Sequence, residues 1–169
     1  MTEVKPVTTR EETTTEIIRQ LVCFRLGDEI FGIDIYKVQE INRMVAITKI
    51  PQSPHFVEGV INLRGKIIPV IDLKKRFGME AGAQRTKENR IIVIQTGGVT
   101  VGFIVDEVTE VLRIPATKIE ETPEMVTAGV EQKYIEGVAL LDSEHLLIVL
   151  DMDKIFSREE TASITSLAD

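Results

Sequence analysis

The sequence has little of what builds disulfide frameworks, stacking surfaces or membrane spans. Its 169 residues include one cysteine, no tryptophan and 5% aromatic residues. A single cysteine excludes an internal disulfide and a cysteine-rich zinc site, and so few aromatic rings argue against a base-stacking surface. No apolar run approaches the ~18 residues that a membrane-spanning helix needs, and no secretory signal follows the N-terminus. We therefore expect a cytoplasmic chain that does not insert directly into a membrane.

Positive charge is also in short supply. The chain has 20 Lys and Arg against 27 Asp and Glu, a net charge of −7. This balance argues against a nucleic-acid binder and against binding to anionic membranes. Hydrophobic residues make up 43%, which is enough to bury a core in one ordinary domain or in two very small units.

No residue pattern specific to catalysis or metal binding is present. His55 and His145 have no Cys, Asp or Glu at the spacing of metal ligands, and no glycine-rich phosphate loop occurs. Asp72 and Asp151 stand at predicted strand-to-helix junctions, where an aspartate caps a helix more often than it catalyses. We expect no catalytic residue, no metal and no cofactor.

Most of the chain between two polar ends favours β-strands. Residues 1–16 are predicted to form a flexible tail, and residues 157–169 a C-terminal tail that frays, with room for a short helix. Pro69 indicates a sheet edge or a bulge. Short helical pieces are expected at residues 36–42, 73–77 and 152–156. Strands are predicted at residues 21–26, 30–35, 66–73, 90–95, 99–105 and 146–150.

An internal repeat organises these segments. Four blocks recur in one order: residues 37–41 match 107–111, 48–50 match 117–119, 56–60 match 134–138, and 68–73 match 147–152. The repeat predicts a duplicated unit, first copy about 21–79 and second copy about 90–156. Several short strands in each copy favour two small β-barrels that share an apolar seam; an exchange of strands between the barrels stays open.

The two copies differ most in one turn. The first has Asn62-Leu63-Arg64-Gly65-Lys66 and the second has Leu140-Leu141-Asp142-Ser143-Glu144, with charges of opposite sign. We expect Asn62 to brace the first turn and Gly65 to supply a positive φ angle. Two interpretations remain: a solvated turn, or a scaffold whose copies have specialised for two different partners.

The segment from Tyr36 to Ile41 is a second candidate. Val38 and Ile41 are three apart and share one face of the predicted helical turn. Core packing explains Ile41, while Val38 fits either the core or a partner surface. Glu40 keeps its charge in the second copy as Glu110.

Several of these blocks resemble the signature of the CheW family of bacterial chemotaxis coupling proteins. They are Val38-Gln39-Glu40-Ile41, Gly59 to Leu73 with Arg76-Phe77-Gly78, and Val101 to Val108, and the resemblance spans about residues 18–156. It implies an all-β fold of two five-stranded SH3-like barrels packed side by side, with short helical turns. It also implies a non-catalytic scaffold that couples the cytoplasmic tips of methyl-accepting chemoreceptors to the regulatory domain of the histidine kinase CheA. Such a scaffold is located at membrane-associated receptor arrays, and we expect the isolated chain to be monomeric.

The resemblance also assigns candidate contact residues. Its kinase-side set is an apolar barrel-end surface, placed at Val22, Ile35 and Val108; for some of these residues, a place in the core or in the receptor contact is the alternative. Two alternatives to the proposed chemotaxis scaffold remain. The related one is a CheW-like adaptor of a non-flagellar pathway. A small hydrolase or ligand-binding barrel is the unrelated one, and it predicts a pocket with convergent carboxylates. The receptor-side set comprises Val38, Glu40, Ile41, Gly59, Asn62 and Arg64.

Overall fold

Ten strands dominate the computed structural model, which describes residues 16–79, 85–121 and 129–167. The predicted N-terminal tail lies outside the described residues apart from Glu16. The helices are Leu73–Arg76 and Arg158–Leu167, and 3₁₀ turns lie at Ile35–Lys37, Ala116–Lys118, Gln132–Tyr134 and Met152–Lys154. The strands are β1 (Ile18–Leu26), β2 (Glu29–Asp34), β3 (Val38–Arg43), β4 (Val57–Leu63), β5 (Lys66–Asp72), β6 (Arg90–Thr96), β7 (Val99–Val105), β8 (Glu107–Pro115), β9 (Ile135–Leu140) and β10 (Leu146–Leu150).

The strands form two five-stranded sheets that exchange strands between the halves of the chain. Sheet I has the order β8-β1-β2-β10-β9, and sheet II has the order β3-β6-β7-β5-β4. The two orders become identical when every strand is exchanged for its repeat equivalent, β1 for β6, β2 for β7, and so on to β5 for β10. The predicted all-β fold of two small SH3-like barrels is confirmed, and the repeat is the reason that the sheets match.

Alternate residues of the central strands face two different apolar cores. On β6, Ile91 and Val93 pack inside the barrel of sheet II, whereas Ile92 and Ile94 pack in a larger cluster. That cluster also contains Phe31 of sheet I, and we call it the seam. Both faces of these strands are buried, which explains their nearly continuous apolar sequences. Each fully buried large apolar side chain contributes about 1.5–3 kcal/mol, so the seam is a major source of stability.

One isolated bridge in each copy draws a loop segment against a strand. Thr48 pairs with Val60 in the first copy, and Glu120 pairs with Val138 in the second. Thr48 and Glu120 are therefore equivalent. The match of Thr-Lys-Ile at residues 48–50 with the same three residues at 117–119 is therefore out of structural register by three positions.

The predicted helix at residues 36–42 is wrong beyond its first turn. Asp34 accepts a hydrogen bond from the backbone N–H of Tyr36 at 2.9 Å and caps the 3₁₀ turn Ile35–Lys37. From Val38 the chain is a strand that pairs with β6. Here the pairing with β6 outweighs the helical spacing of the apolar residues.

A β-bulge still places Val38 and Ile41 on one face. Val38 lies opposite Ile94 and Ile41 lies opposite Ile92, so β3 has one residue more than β6 between these pairs. Directly opposed residues point to the same side of a sheet. The shared face was predicted correctly, but from the wrong secondary structure. The second copy has its bulge at the equivalent place, between Cys23 and Phe24 of β1 and their partners on β8.

Both predicted helix caps are present. The carboxylate of Asp72 accepts from the backbone N–H groups of Lys74 and Lys75, at 3.0 and 3.3 Å. That of Asp151 accepts from the N–H of Asp153 at 3.1 Å. The capping interpretation of these two aspartates is confirmed.

The C-terminal segment is better anchored than the sequence predicts. Ser157 and Glu160 exchange hydrogen bonds as a capping box at the start of the helix Arg158–Leu167. Arg76 donates to both carboxylate oxygens of Glu160, at 3.0 and 2.7 Å, and Ile164 is fully buried in the seam. These contacts correct the expectation of a fraying end at residues 158–167.

Pro69 does not mark a sheet edge. Its strand, β5, lies between β7 and β4. The parallel pairing with β7 begins only at Val70, so the missing N–H of Pro69 interrupts no hydrogen bond on that side.

Candidate functional site

The connection between β4 and β5 is a two-residue β-hairpin loop with a defined backbone conformation. Its loop residues, Arg64 and Gly65, both have positive φ angles, 53° and 86°, as the type I′ turn of a tight hairpin requires. Asn62 Oδ1 accepts a hydrogen bond from the backbone N–H of Gly65 at 2.9 Å. The predicted roles of Asn62 and Gly65 are confirmed, and the turn presents Arg64 to solvent.

Arg64 forms an ion pair with Glu40 of β3. The Nη2 atom of Arg64 donates to Oε2 of Glu40, and the two side chains are 69% and 26% exposed. The hydrogen bond from Arg64 holds the pKa of the Glu40 carboxyl below its usual value, and the carboxylate raises the pKa of the guanidinium. Both groups therefore stay charged at neutral pH. The pair connects two segments of the receptor-side set that are distant in sequence.

A shallow groove of about 250 Å³ surrounds this pair. Gln39 and Thr100 also line it, but no sequence pattern singles them out, because they come together only through the pairing of β3 with β6 and of β6 with β7. Its remaining lining residues are Glu40, Leu63, Arg64, Lys66, Ile68 and Val93.

The other members of the receptor-side set lie apart from the pair. Val38 is half-buried against the seam, and Ile41 is 39% exposed on the same face of β3. Glu40 lies opposite Val93 and therefore points to the other face. Gly59 has a φ of 148°, and a Cβ there would lie 2.2 Å from the carbonyl oxygen of Thr48. Gly59 is thus required by the fold, while Ile41 offers an exposed apolar contact.

The kinase-side set needs one correction. Val22 is 1% exposed and packs in the seam, so it offers no contact surface in this conformation. Its place on β1, alternating with Leu21 and Cys23, turns it inward. Ile35 and Val108 are partly buried and pack against the seam from its rim.

Several carboxylates outside this site line grooves, but those that share one groove have structural partners. Asp34, Glu136, Asp151 and Asp153 line a groove of about 190 Å³, where Arg19 pairs with Asp34 and Glu136, Lys37 pairs with Asp153, and Asp151 caps a turn. Asp106 accepts from the backbone N–H of Gly27 at 2.7 Å and lies 3.0 Å from Lys74 Nζ. A larger groove, of about 610 Å³, is mostly apolar, with Ile114 and Leu140 among its lining residues. Within residues 16–79, 85–121 and 129–167 no cluster of three His, Cys, Asp or Glu is suited to a metal ion. In the same part of the chain, no helix is long and apolar enough to cross a membrane.

Comparison with known proteins agrees with this geometry. The family model of the CheW-like domain matches residues 20–160. Chemotaxis protein CheW of Klebsiella aerogenes is 40% identical over 151 residues, 89% of each chain. That of Thermotoga maritima is 39% identical over 136 residues, 80% of this chain and 86% of the relative. The crystal structure of the scaffolding protein TtCheW from Thermoanaerobacter tengcongensis superposes with a TM-score of 0.76 at 42% identity, over 85% of this chain and 91% of that one. On both sequence and structure, the chain belongs to the CheW family.

Proposed function

We propose that this chain couples the cytoplasmic tips of methyl-accepting chemoreceptors to the regulatory domain of the histidine kinase CheA. Coupling in chemotaxis by a scaffold is the function that membership of the CheW family gives it. The finer proposal names the two partners, locates the chain at cytoplasmic receptor arrays, and assigns it no catalytic activity of its own. It acts by geometry: holding both partners lets a small receptor displacement shift the kinase between two arrangements.

The observation that supports a receptor contact is the exposed ion pair of Arg64 and Glu40. A guanidinium on a rigid type I′ turn, oriented by one carboxylate, retains free donors for a partner's carboxylate or carbonyl groups. Ile41 supplies an exposed apolar contact on the other face of β3. Ile35 and Val108, at the rim of the seam, are the proposed kinase contacts.

The substitution Arg64→Ala tests this proposal. Arg64 is mostly exposed, and a surface ion pair contributes only about 0–1 kcal/mol to stability, so the thermal midpoint should hardly change. Loss of a charged partner from a desolvated interface costs about 2–5 kcal/mol, well over tenfold in affinity. Calorimetric titration against a receptor-tip fragment and against the CheA regulatory domain should show this loss for the receptor alone.

The matched control is Glu144→Ala, in the corresponding turn of the second copy. It should bind the receptor fragment as the wild type does. Early unfolding of Arg64→Ala would place Arg64 in the structural network. Loss of kinase binding with receptor binding intact would assign this surface to the other partner.

A further inference from the structure

One groove on sheet II has a local charge opposite to that of the chain. It has a volume of about 460 Å³ and lies where β3 ends and β6 begins. It contains three cationic residues and one acidic residue, Glu88, although the whole chain carries a net charge of −7. The lining residues are Arg43, Met44, Thr86, Lys87, Glu88, Asn89 and Arg90.

Two of these cations face each other directly. Arg43 and Arg90 are cross-strand partners in the antiparallel pairing of β3 with β6. Directly opposed residues have Cβ atoms about 4.5–5.5 Å apart, and like charges at such positions destabilise a sheet. The fold therefore bears a cost at this position that an arginine and a neutral residue would avoid.

Neither arginine of this pair forms an ion pair within the described part of the chain. Neither guanidinium has a carboxylate within 4.0 Å among residues 16–79, 85–121 and 129–167. Arg90 Nη1 donates only to the backbone carbonyls of Lys87 and Asn89, at 2.7 and 2.9 Å. The side chain of Arg43 is exposed. With Lys87 beside the two arginines and Glu88 the one acidic lining residue, the groove keeps an excess of positive charge that is complementary to carboxylates.

The equivalent place in the second copy lacks this arrangement. Arg113 of β8 corresponds to Arg43, but its cross-strand partner on β1 is Gln20. The repeat therefore does not require an arginine pair. The pair is a feature of sheet II alone.

The position of the pair identifies the side of the molecule that it serves. Ile41 and Arg43 are two residues apart on β3, and they lie opposite Ile92 and Arg90, which are two apart on β6. The exposed apolar contact and the arginine pair thus share one sheet face. On this ground, and resting on the proposed function, we propose that Arg43 and Arg90 bind an acidic segment of the chemoreceptor tip and select receptors that carry carboxylates there.

The test compares Arg43→Gln, Arg90→Gln and the double variant with the matched control Arg113→Gln. Each full-length chain is titrated with a receptor-tip fragment at several salt concentrations. We expect the double variant to bind at least about tenfold more weakly, with a shallower salt dependence, because its interface buries fewer charge pairs. The control should bind within about twofold of the wild type, and the double variant should bind the kinase regulatory domain normally. The thermal midpoint of Arg43→Gln should equal or exceed that of the wild type, because this variant removes the repulsion and keeps the two hydrogen bonds of Arg90 to backbone carbonyls.

Each contrary result has a distinct meaning. Wild-type binding to the tip with an unchanged double variant would overturn this inference and leave the proposed function standing. Absence of wild-type binding to the tip would overturn both. Sedimentation of the wild type, but not the double variant, with vesicles containing phosphatidylserine would replace the acidic protein segment by a membrane surface.

Discussion

The two copies of the repeat share a frame and differ at one end of it. Both copies have a β-bulge in the strand that carries the shared glutamate. In the first copy the bulge is in β3, where Glu40 lies opposite Val93 of β6, and in the second it is in β8, where Glu110 lies opposite Cys23 of β1. In the first copy a two-residue turn brings Arg64 to Glu40. The second copy has a longer turn that satisfies itself: Asp142 accepts hydrogen bonds from the backbone N–H groups of Glu144 and His145, at 2.8 and 3.0 Å.

The difference shows which parts of the repeat the barrel needs. The bulge and the bridging strand segments occur in both copies and are therefore structural. The charge and length of the turn differ, so the barrel does not specify them. One copy can present a guanidinium and the other a carboxylate, which is how a duplicated scaffold acquires two unlike surfaces.

The largest effect is expected when one sequence copy is expressed without the other, because each sheet takes strands from both. Residues 17–79 include β3, β4 and β5 but lack β6 and β7, which lie between β3 and β5 in sheet II. Residues 35–106, in contrast, carry all five strands of that sheet. We expect the first fragment to be unfolded by circular dichroism. The second should keep a strand spectrum and bind a hydrophobic dye, since the seam face of its sheet is exposed. A cooperative melt of residues 17–79 near the full-length midpoint would contradict this.

A pair of equivalent glycines offers the next largest effect. An alanine Cβ at Gly59 would lie 2.2 Å from the carbonyl oxygen of Thr48, and one at Gly137 would lie 2.6 Å from that of Glu120. Gly59 also has a positive φ, which L-residues rarely adopt. We expect both alanine substitutions to destabilise by more than about 3 kcal/mol, with Gly59→Ala the worse. Urea unfolding of the two variants measures the order. Alanine at Gly65 is the control: its φ is also positive, 86°, but no atom lies within 4 Å of the added Cβ, so it should cost only the backbone strain of about 1–2 kcal/mol.

How far the sequence predicts this structure is clear at β3. The matched blocks 37–41 and 107–111 correctly identify equivalent strand positions, as the two bulges show. The apolar spacing of residues 36–42, however, predicts a helix, and from Val38 onward the structure has a strand instead. Apolar residues three apart share a face in a helix, and they also share a face in a strand that contains one extra residue. Spacing alone does not distinguish the two cases.

The candidate site also has features that the sequence predicts and features that it does not. Asn62 and Gly65 were predictable, because their roles depend on local turn geometry. The contact between Arg64 and Glu40, and the pairing of Arg43 with Arg90, depend on which strands become neighbours. That information arises from long-range pairing. No local pattern in the sequence contains it.

The carboxyl groups of Glu40 and Asp142 both have a lowered pKa, but for different reasons, and a smaller effect is expected from changing either cause. The Glu40 pKa is held below 4.5 mainly by the Arg64 side chain, and the Asp142 pKa is held below 3.8 mainly by the backbone N–H of Glu144. A carboxyl whose pKa is depressed by folding adds stability above its unfolded value, and this is lost as pH falls through the folded value. The ion pair should therefore be intact at neutral pH and break only as the pH falls through the lowered pKa of Glu40.

Carboxyl resonances followed by NMR would measure both titrations. Arg64→Ala should raise the titration midpoint of Glu40 and leave that of Asp142 unchanged. Salt at 1 M should raise the Glu40 midpoint more, because screening weakens the attraction between two exposed charges. A Glu40 midpoint that Arg64→Ala does not move would show that the pair is absent in solution.

The smallest change in stability is expected for a substitution at Cys23, a buried position that holds a valine, Val93, in the other barrel. Cys23 lies opposite Glu110 at the bulge, as Val93 lies opposite Glu40, and both are buried in the interior of their barrels. Since the equivalent site already holds a valine, Cys23→Val should change the free energy of unfolding by less than about 1.5 kcal/mol. Burial raises the pKa of the Cys23 thiol to about 12, so the native protein should resist iodoacetamide at pH 8 and react once urea unfolds it. Rapid labelling of the native chain would mean that sheet I opens at β1 under native conditions and would contradict a buried, unreactive thiol.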